Sequence, residues 1–167
     1  MKSLNRILHI DGDSFFASCE IALDRRLEGR PVWVGGGRRG DGIVIAANRT
    51  AKKFGVVTGM ACFEAQRLCP QGVLCKPHYT EYRRLSEAMF RVLEQYAPML
   101  VPTSIDEGFL DFSTMDKHVW LHTTPGDYVQ EIRERIRREG GAAGVRRAGE
   151  FRQTGQARHR RRQARLP

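Results

Sequence analysis

The sequence predicts an α/β (α+β) fold, and three observations carry that prediction. Two short apolar runs, Arg6 to Ile10 and Met99 to Thr103, each end in an acidic turn, as strands do when they leave a sheet. Two longer segments repeat apolar residues at helical spacing: Tyr82, Leu85, Met89, Val92, Leu93 and Tyr96 in one, and Tyr128, Val129, Ile132 and Ile136 in the other. Around the first of these the elements run strand, helix, strand, strand, helix.

Taken in order, the strand at Arg6–Ile10 leads into a helix from Phe15 through Leu23, with Asp13 or Ser14 placed to cap it. Pro31–Val34 reads as a short buried strand, and a Gly-rich turn over 35–42 joins it to a second strand, Ile43–Ala46. Asn48 opens a short helix, Arg49 to Phe54, which Gly55 ends. A further helix starts near Cys62 and stops before Pro70, and Val73–Lys76 is the next strand. The long periodic helix follows and closes at Pro98. Tyr79 and Tyr82 are expected to anchor it to the sheet. After the strand Met99–Thr103, Gly108–Phe112 returns as a hairpin partner, and an amphipathic helix runs from Asp127 to about Arg138. Its Arg133, Arg135, Arg137 and Arg138 alternate with Glu131, Glu134 and Glu139, which reads as a salt-bridged exposed face. With the first strand added, the pattern is that of a ferredoxin-like sheet interrupted by a small inserted lobe.

At 167 residues the chain has room for one domain or two small lobes sharing a core. The net charge is +9, but residues 141–167 hold eight arginines against one glutamate, so 20 basic and 18 acidic side chains leave the remainder at only +2. The excess charge therefore belongs to the tail and says little about the rest. Cys19, Cys62, Cys69 and Cys75 form neither a CxxC pair nor a Cys/His ligand spacing, which argues against zinc and for reduced, mostly buried thiols. No apolar run approaches the roughly 20 residues of a membrane span, and no signal segment begins the chain; a soluble cytoplasmic protein without a membrane partner is expected.

The chemistry lies in the acidic turns, Asp11-Gly12-Asp13 and Ser104-Ile105-Asp106-Glu107. Any one of these acids is an ordinary turn former or helix cap. Together, Asp11, Asp106 and Glu107 at the ends of adjacent strands suit a pair of Mg²⁺ ions, because Mg²⁺ prefers oxygen ligands and takes a few carboxylates alongside substrate phosphates. Asp13 reads better as a helix cap, and His9 as a packed strand residue, since Mg²⁺ favours oxygen over imidazole. Arg49 and Lys52, three apart on one helical turn, share a face and can both reach a triphosphate.

Three segments in order and spacing resemble the Y-family of translesion DNA polymerases: His9 to Glu20, Ile43 to Met60 through Ala47-Asn48-Arg49-Thr50-Ala51-Lys52, and Ser104 to Asp111. The resemblance spans about residues 5–139. It implies a palm at 1–14 and 73–140, incomplete at its last strand, and a fingers lobe at 15–72. It implies that Asp11, Asp106 and Glu107, helped by the Gly12 carbonyl, hold two Mg²⁺ ions for transfer of a deoxynucleotide to a primer 3′-hydroxyl. Phe15 and Phe16 would lie at the nucleotide, with Phe16 the steric gate against a ribose 2′-hydroxyl and Phe15 otherwise a core residue. The partners implied are primer-template DNA, deoxynucleoside triphosphates and, through a C-terminal region, a sliding clamp, in an SOS-type damage response. Where the commoner pattern has Tyr and Arg, this chain has Arg49 and Lys52, and Ala46 replaces a frequent hydroxyl residue. A noncatalytic polymerase-like adaptor is the alternative, though an adaptor has no chemical need for convergent carboxylates.

Beyond Gly140 the resemblance stops, and 141–167 is expected to be a disordered Arg-rich tail. One permitted set of codons for Ala142 to Pro167 reads, one nucleotide over, as a Ser-Ala-Gly turn, an Ala-rich segment with lysine and a Pro-Gly exit, like the family's missing segment. A shifted frame after about Gly140 is the expectation, leaving an exposed sheet edge and weak or absent polymerase activity.

Overall fold

The computed structural model describes residues 7–36, 42–115, 123–139 and 147–151. Its elements are β1 (Ile7–Asp11), α1 (Phe15–Leu23), a 3₁₀ turn (Arg25–Leu27), β2 (Val32–Gly35), β3 (Val44–Ala47), α2 (Arg49–Lys52), α3 (Cys62–Leu68), β4 (Val73–Cys75), α4 (Tyr79–Leu93), β5 (Met99–Pro102), β6 (Glu107–Asp111), α5 (Pro125–Glu139) and β7 (Arg147–Phe151). They make two sheets, one ordered β5-β6-β1-β7 and one ordered β3-β2-β4.

The larger sheet is antiparallel throughout. Read with its helices, β1-α4-β5-β6-α5-β7 has the ferredoxin-like connection, and the segment from α1 to β4 is inserted after β1. Side chains alternate across a strand, so Leu8, Ile10 and Leu110 point to the helical layer. There they meet Met89 and Leu93 of α4 and Ile132 and Ile136 of α5, all fully buried. Each such side chain contributes about 1.5–3 kcal/mol through burial. His9, Asp11, Glu107 and Phe109 consequently occupy the opposite face, away from the helices.

The small sheet is held by Trp33, fully buried on β2, whose ring lies so close to Gly72 that a Cβ there would fall 2.1 Å from it. Asn48 joins this sheet to α2: its Oδ1 accepts from the Ala51 amide at 2.8 Å and the Val32 amide at 3.1 Å, and its Nδ2 donates to the Arg30 carbonyl at 2.8 Å. The expected cap at Asn48 is therefore present, and Gly55, at φ 88°, follows the helical turn.

Several expectations change. Neither Asp13 nor Ser14 caps α1 through its side chain; Ser14 sits in the left-handed region at φ 54°, which turns its hydroxyl toward Asp13 instead. Val73–Cys75, expected in the palm, pairs in parallel with β2 and belongs to the inserted lobe. Tyr82 ties α4 to α1 and shares a buried cluster with Val34 and Ala46 of the small sheet, while Tyr79 is exposed. Arg147–Phe151, expected within an unstructured tail, is a strand on the outer edge of β1 and completes the sheet that the sequence left one strand short. Pairing of this kind is made by backbone amides and carbonyls, which no local apolar pattern needs to mark. The remainder of the tail and most of the Gly-rich turn lie outside the described residues. The four cysteines are free, and Cys19, Cys62 and Cys69 are buried. On α5, Arg135 and Arg138 pair with Glu139 at 3.1 and 3.3 Å, as the charge alternation predicts.

Candidate active site

The two acidic turns meet at one end of the β1–β6 pair. Asp11 and Glu107 are directly opposite in register, and just beyond them the Gly12 amide donates to the Asp106 carbonyl at 2.9 Å. A Cβ on Gly12 would stand 3.1 Å from that of Asp106, so the turns approach closely. Ser86, buried on α4, donates to the Ile105 carbonyl and ties the second turn to the helix. Burial holds the Asp106 carboxyl above its ordinary pKa. The Asp11 and Glu107 charges push the same way, while a hydrogen bond from Ser104 opposes them. Such accumulated negative charge fits a divalent cation.

The three carboxylates nevertheless share a strand end without forming a closed ligand set. Among the described residues, no three His, Cys, Asp or Glu side chains are gathered to hold a metal ion. Two of them have local partners: Asp106 accepts from the Ser104 hydroxyl at 2.9 Å, and Glu107 Oε1 lies 2.8 Å from His9 Nε2.

Behind the acids, Phe15 is buried in the core and Phe16 is only partly so. Phe16 stacks on Tyr82 at 4.7 Å and meets Tyr79 edge-on at 6.1 Å. The Tyr82 hydroxyl donates to Glu20, a buried carboxylate on α1 that His78 Nδ1 also reaches at 2.9 Å. Burial raises the Tyr82 pKa, and the bond to Glu20 adds to the shift.

Arg49 and Lys52 come together as expected, and both face Asp13, each 3.9 Å from its carboxylate. Lys52 also donates to Ser14 at 2.8 Å. A cleft of about 250 Å³ opens between the lobes' elements, lined among others by Gly12, Phe16, Ala46, Lys52, Thr58 and Asp106. It thus joins one acidic residue, one base and the aromatic shelf in a single concavity. Sequence reasoning missed Glu20, Ser86 and Thr58; Ser86 had a signal, being polar on the buried stripe of α4.

A protein-family model described as the impB/mucB/samB family matches residues 10–145. This chain belongs to that family. Among curated relatives of this family member, a DNA polymerase IV of Dehalococcoides mccartyi is 36% identical over 137 residues, covering 82% of this chain and 34% of the relative. One of Bacillus anthracis is 44% identical over 108 residues, covering 64% and 26%. The chain therefore spans about a third of the length of the curated relatives it matches. Of the solved structures, the insertion ternary complex of Dbh DNA polymerase is similar with a TM-score of 0.68 at 26% identity, covering 79% of this chain and 39% of that one. A Y-family DNA polymerase chimera of Dbh and Dpo4 gives 0.69 at 25%, with the same coverage. The family, the mixed α/β fold and the relation to Y-family polymerases agree with the resemblance read from the three segments. No helix among the described residues is long and apolar enough to cross a membrane.

Proposed function

We propose that this chain is the nucleotide-holding and metal-holding part of a cytoplasmic Y-family translesion DNA polymerase. Its division would be a palm at 1–14 and from 76 onward, with fingers at 15–75. The observation that carries the reading is the register of β1 and β6, which sets Asp11 opposite Glu107 with Asp106 adjoining, beside a cleft that also contains Phe16 and Lys52.

In this reading Asp11, Asp106 and Glu107 would hold two Mg²⁺ ions, with the Gly12 carbonyl at the same turn. Such a pair, when bound, would supply a lowered pKa at a primer 3′-hydroxyl and neutralisation of the triphosphate charge. Arg49 and Lys52 turn from Asp13 to the phosphates, which outcompete a single carboxylate for the two cations. Lysine offers a point charge where arginine offers a fork, so Lys52 grips less directionally. Phe16, braced by Tyr82, lies under the sugar and excludes a 2′-hydroxyl by bulk, while Phe15 supports it from the core. Primer-template DNA and a deoxynucleoside triphosphate are the substrates.

The test grafts this chain onto the remaining length of the Dehalococcoides mccartyi relative and follows Mg²⁺-dependent extension of a labelled primer. Asp106→Ala abolishes extension while DNA binding persists. Extension by that variant at the parent rate removes the assignment.

A further inference from the structure

We propose that His9 is a positioning residue for Glu107, presetting this carboxylate for a divalent cation. The inference rests on reading Glu107 as a ligand. The antiparallel register sets His9 opposite Phe109 and Asp11 opposite Glu107, so all four side chains share the helix-free face of the sheet. Glu107 is therefore diagonal to His9, within reach across the ladder. His9 Nε2 lies 2.8 Å from Glu107 Oε1, and its ring stacks on Phe109 at 4.7 Å with an interplanar angle of 26°.

An ionised carboxylate only accepts hydrogen bonds, so Nε2 carries the proton and donates it. The contact leaves Oε2 without this donor and fixes three rotatable bonds of a side chain that is one third exposed. Phe109 in turn fixes the imidazole plane, so the orientation passes from a sheet residue to the ring and then to the carboxylate. Ser104 serves Asp106 in the same way at 2.9 Å. Outer groups that orient metal-binding carboxylates characteristically change metal affinity by 10- to 100-fold when removed.

The experiment measures Mn²⁺ binding to the 167-residue chain by electron paramagnetic resonance, with folding checked by circular dichroism. Three variants are compared: His9→Phe, which keeps the stack and loses the donor; His9→Gln, which keeps a donor; and Asp11→Asn, which strikes the site itself. The expected result is roughly 10- to 100-fold weaker binding for His9→Phe, recovery of most of that loss in His9→Gln, and loss of binding in Asp11→Asn. Parental or tighter binding by His9→Phe, with Asp11→Asn still defective, overturns the role of His9 and leaves the site standing. Equal weakening in His9→Phe and His9→Gln also overturns it, because a retained donor would then bring no recovery. Failure of the parent chain to bind Mn²⁺, or indifference to Asp11→Asn, removes the carboxylate site and this inference with it.

Discussion

Tyr82 lies flat against Phe16, ring centroids 4.7 Å apart and planes 21° from parallel, while its hydroxyl is bound to the buried carboxylate of Glu20. One tyrosine thus joins the apolar shelf of the cleft to the most buried acid described in the inserted lobe. Its two ends have separable roles.

Tyr82→Phe keeps the stack but leaves Glu20 with His78 as its named partner. A buried charge that loses a hydrogen bond costs about 1–3 kcal/mol. Urea unfolding should show that loss, and Glu20→Gln, which still accepts from Tyr82, should show less of it. Equal stability of Tyr82→Phe and the parent would mean that Glu20 is satisfied by solvent.

Phe16→Ala removes the shelf under the sugar. Discrimination of roughly 10- to 200-fold is what a pocket supplies by bulk, so ribonucleotide incorporation by the grafted polymerase should rise by at least tenfold relative to deoxynucleotide. Competition between the two triphosphates on one primer measures the ratio. An unchanged ratio would show that selectivity resides elsewhere.

Asn48→Ala withdraws a helix cap and two further hydrogen bonds at once. The cap alone is worth about 0.5–2 kcal/mol, and stranding a buried group adds about 1–3 kcal/mol. Denaturant melts should lose roughly 2–4 kcal/mol on those grounds, and Asn48→Asp, which keeps both Oδ acceptor bonds, should recover part.

Alkali provides a titration of the core. Burial pushes the Cys19 thiol up from 9.0 to about 12 and Cys75 to about 11, and the Glu20 charge adds to both shifts. Above pH 9 the unfolded chain releases these protons while the folded chain retains them, so the folded state binds more protons and stability falls with rising pH. The decline should begin near pH 9 and level off near 12. Cys19→Ala should flatten the curve, as monitored by thermal melts across that range.

Much of this architecture was legible because periodicity reports burial. Leu85, Met89 and Val92 on α4, and Ile132 and Ile136 on α5, fall where helical spacing places them. The acidic turns were legible because Asp11 and Asp106 each close an apolar run. Partners across the sheet were not: the His9–Glu107 bond joins residues 98 apart, and register is fixed by pairing that no local pattern encodes. The same limit misplaced Val73–Cys75, whose partner β2 lies some forty residues upstream, and hid β7, whose partner β1 lies about 140 residues upstream. Asp13 misled for a different reason, since a carboxylate ahead of a helix caps it only when the intervening dihedrals allow, and Ser14 at positive φ does not.

The central position of β1 constrains how this protein is born. Its neighbours β6 and β7 are made long after it, so β1 has no partner in its sheet until the chain has grown past Asp111. At about 5–20 residues per second, translation leaves it waiting for several seconds. Contacts of such large sequence separation slow folding, and the nascent strand carries Ile7, Leu8 and Ile10 uncovered meanwhile. The inserted lobe, whose three strands and three α-helices are finished by Cys75, can assemble first and occupy the interval.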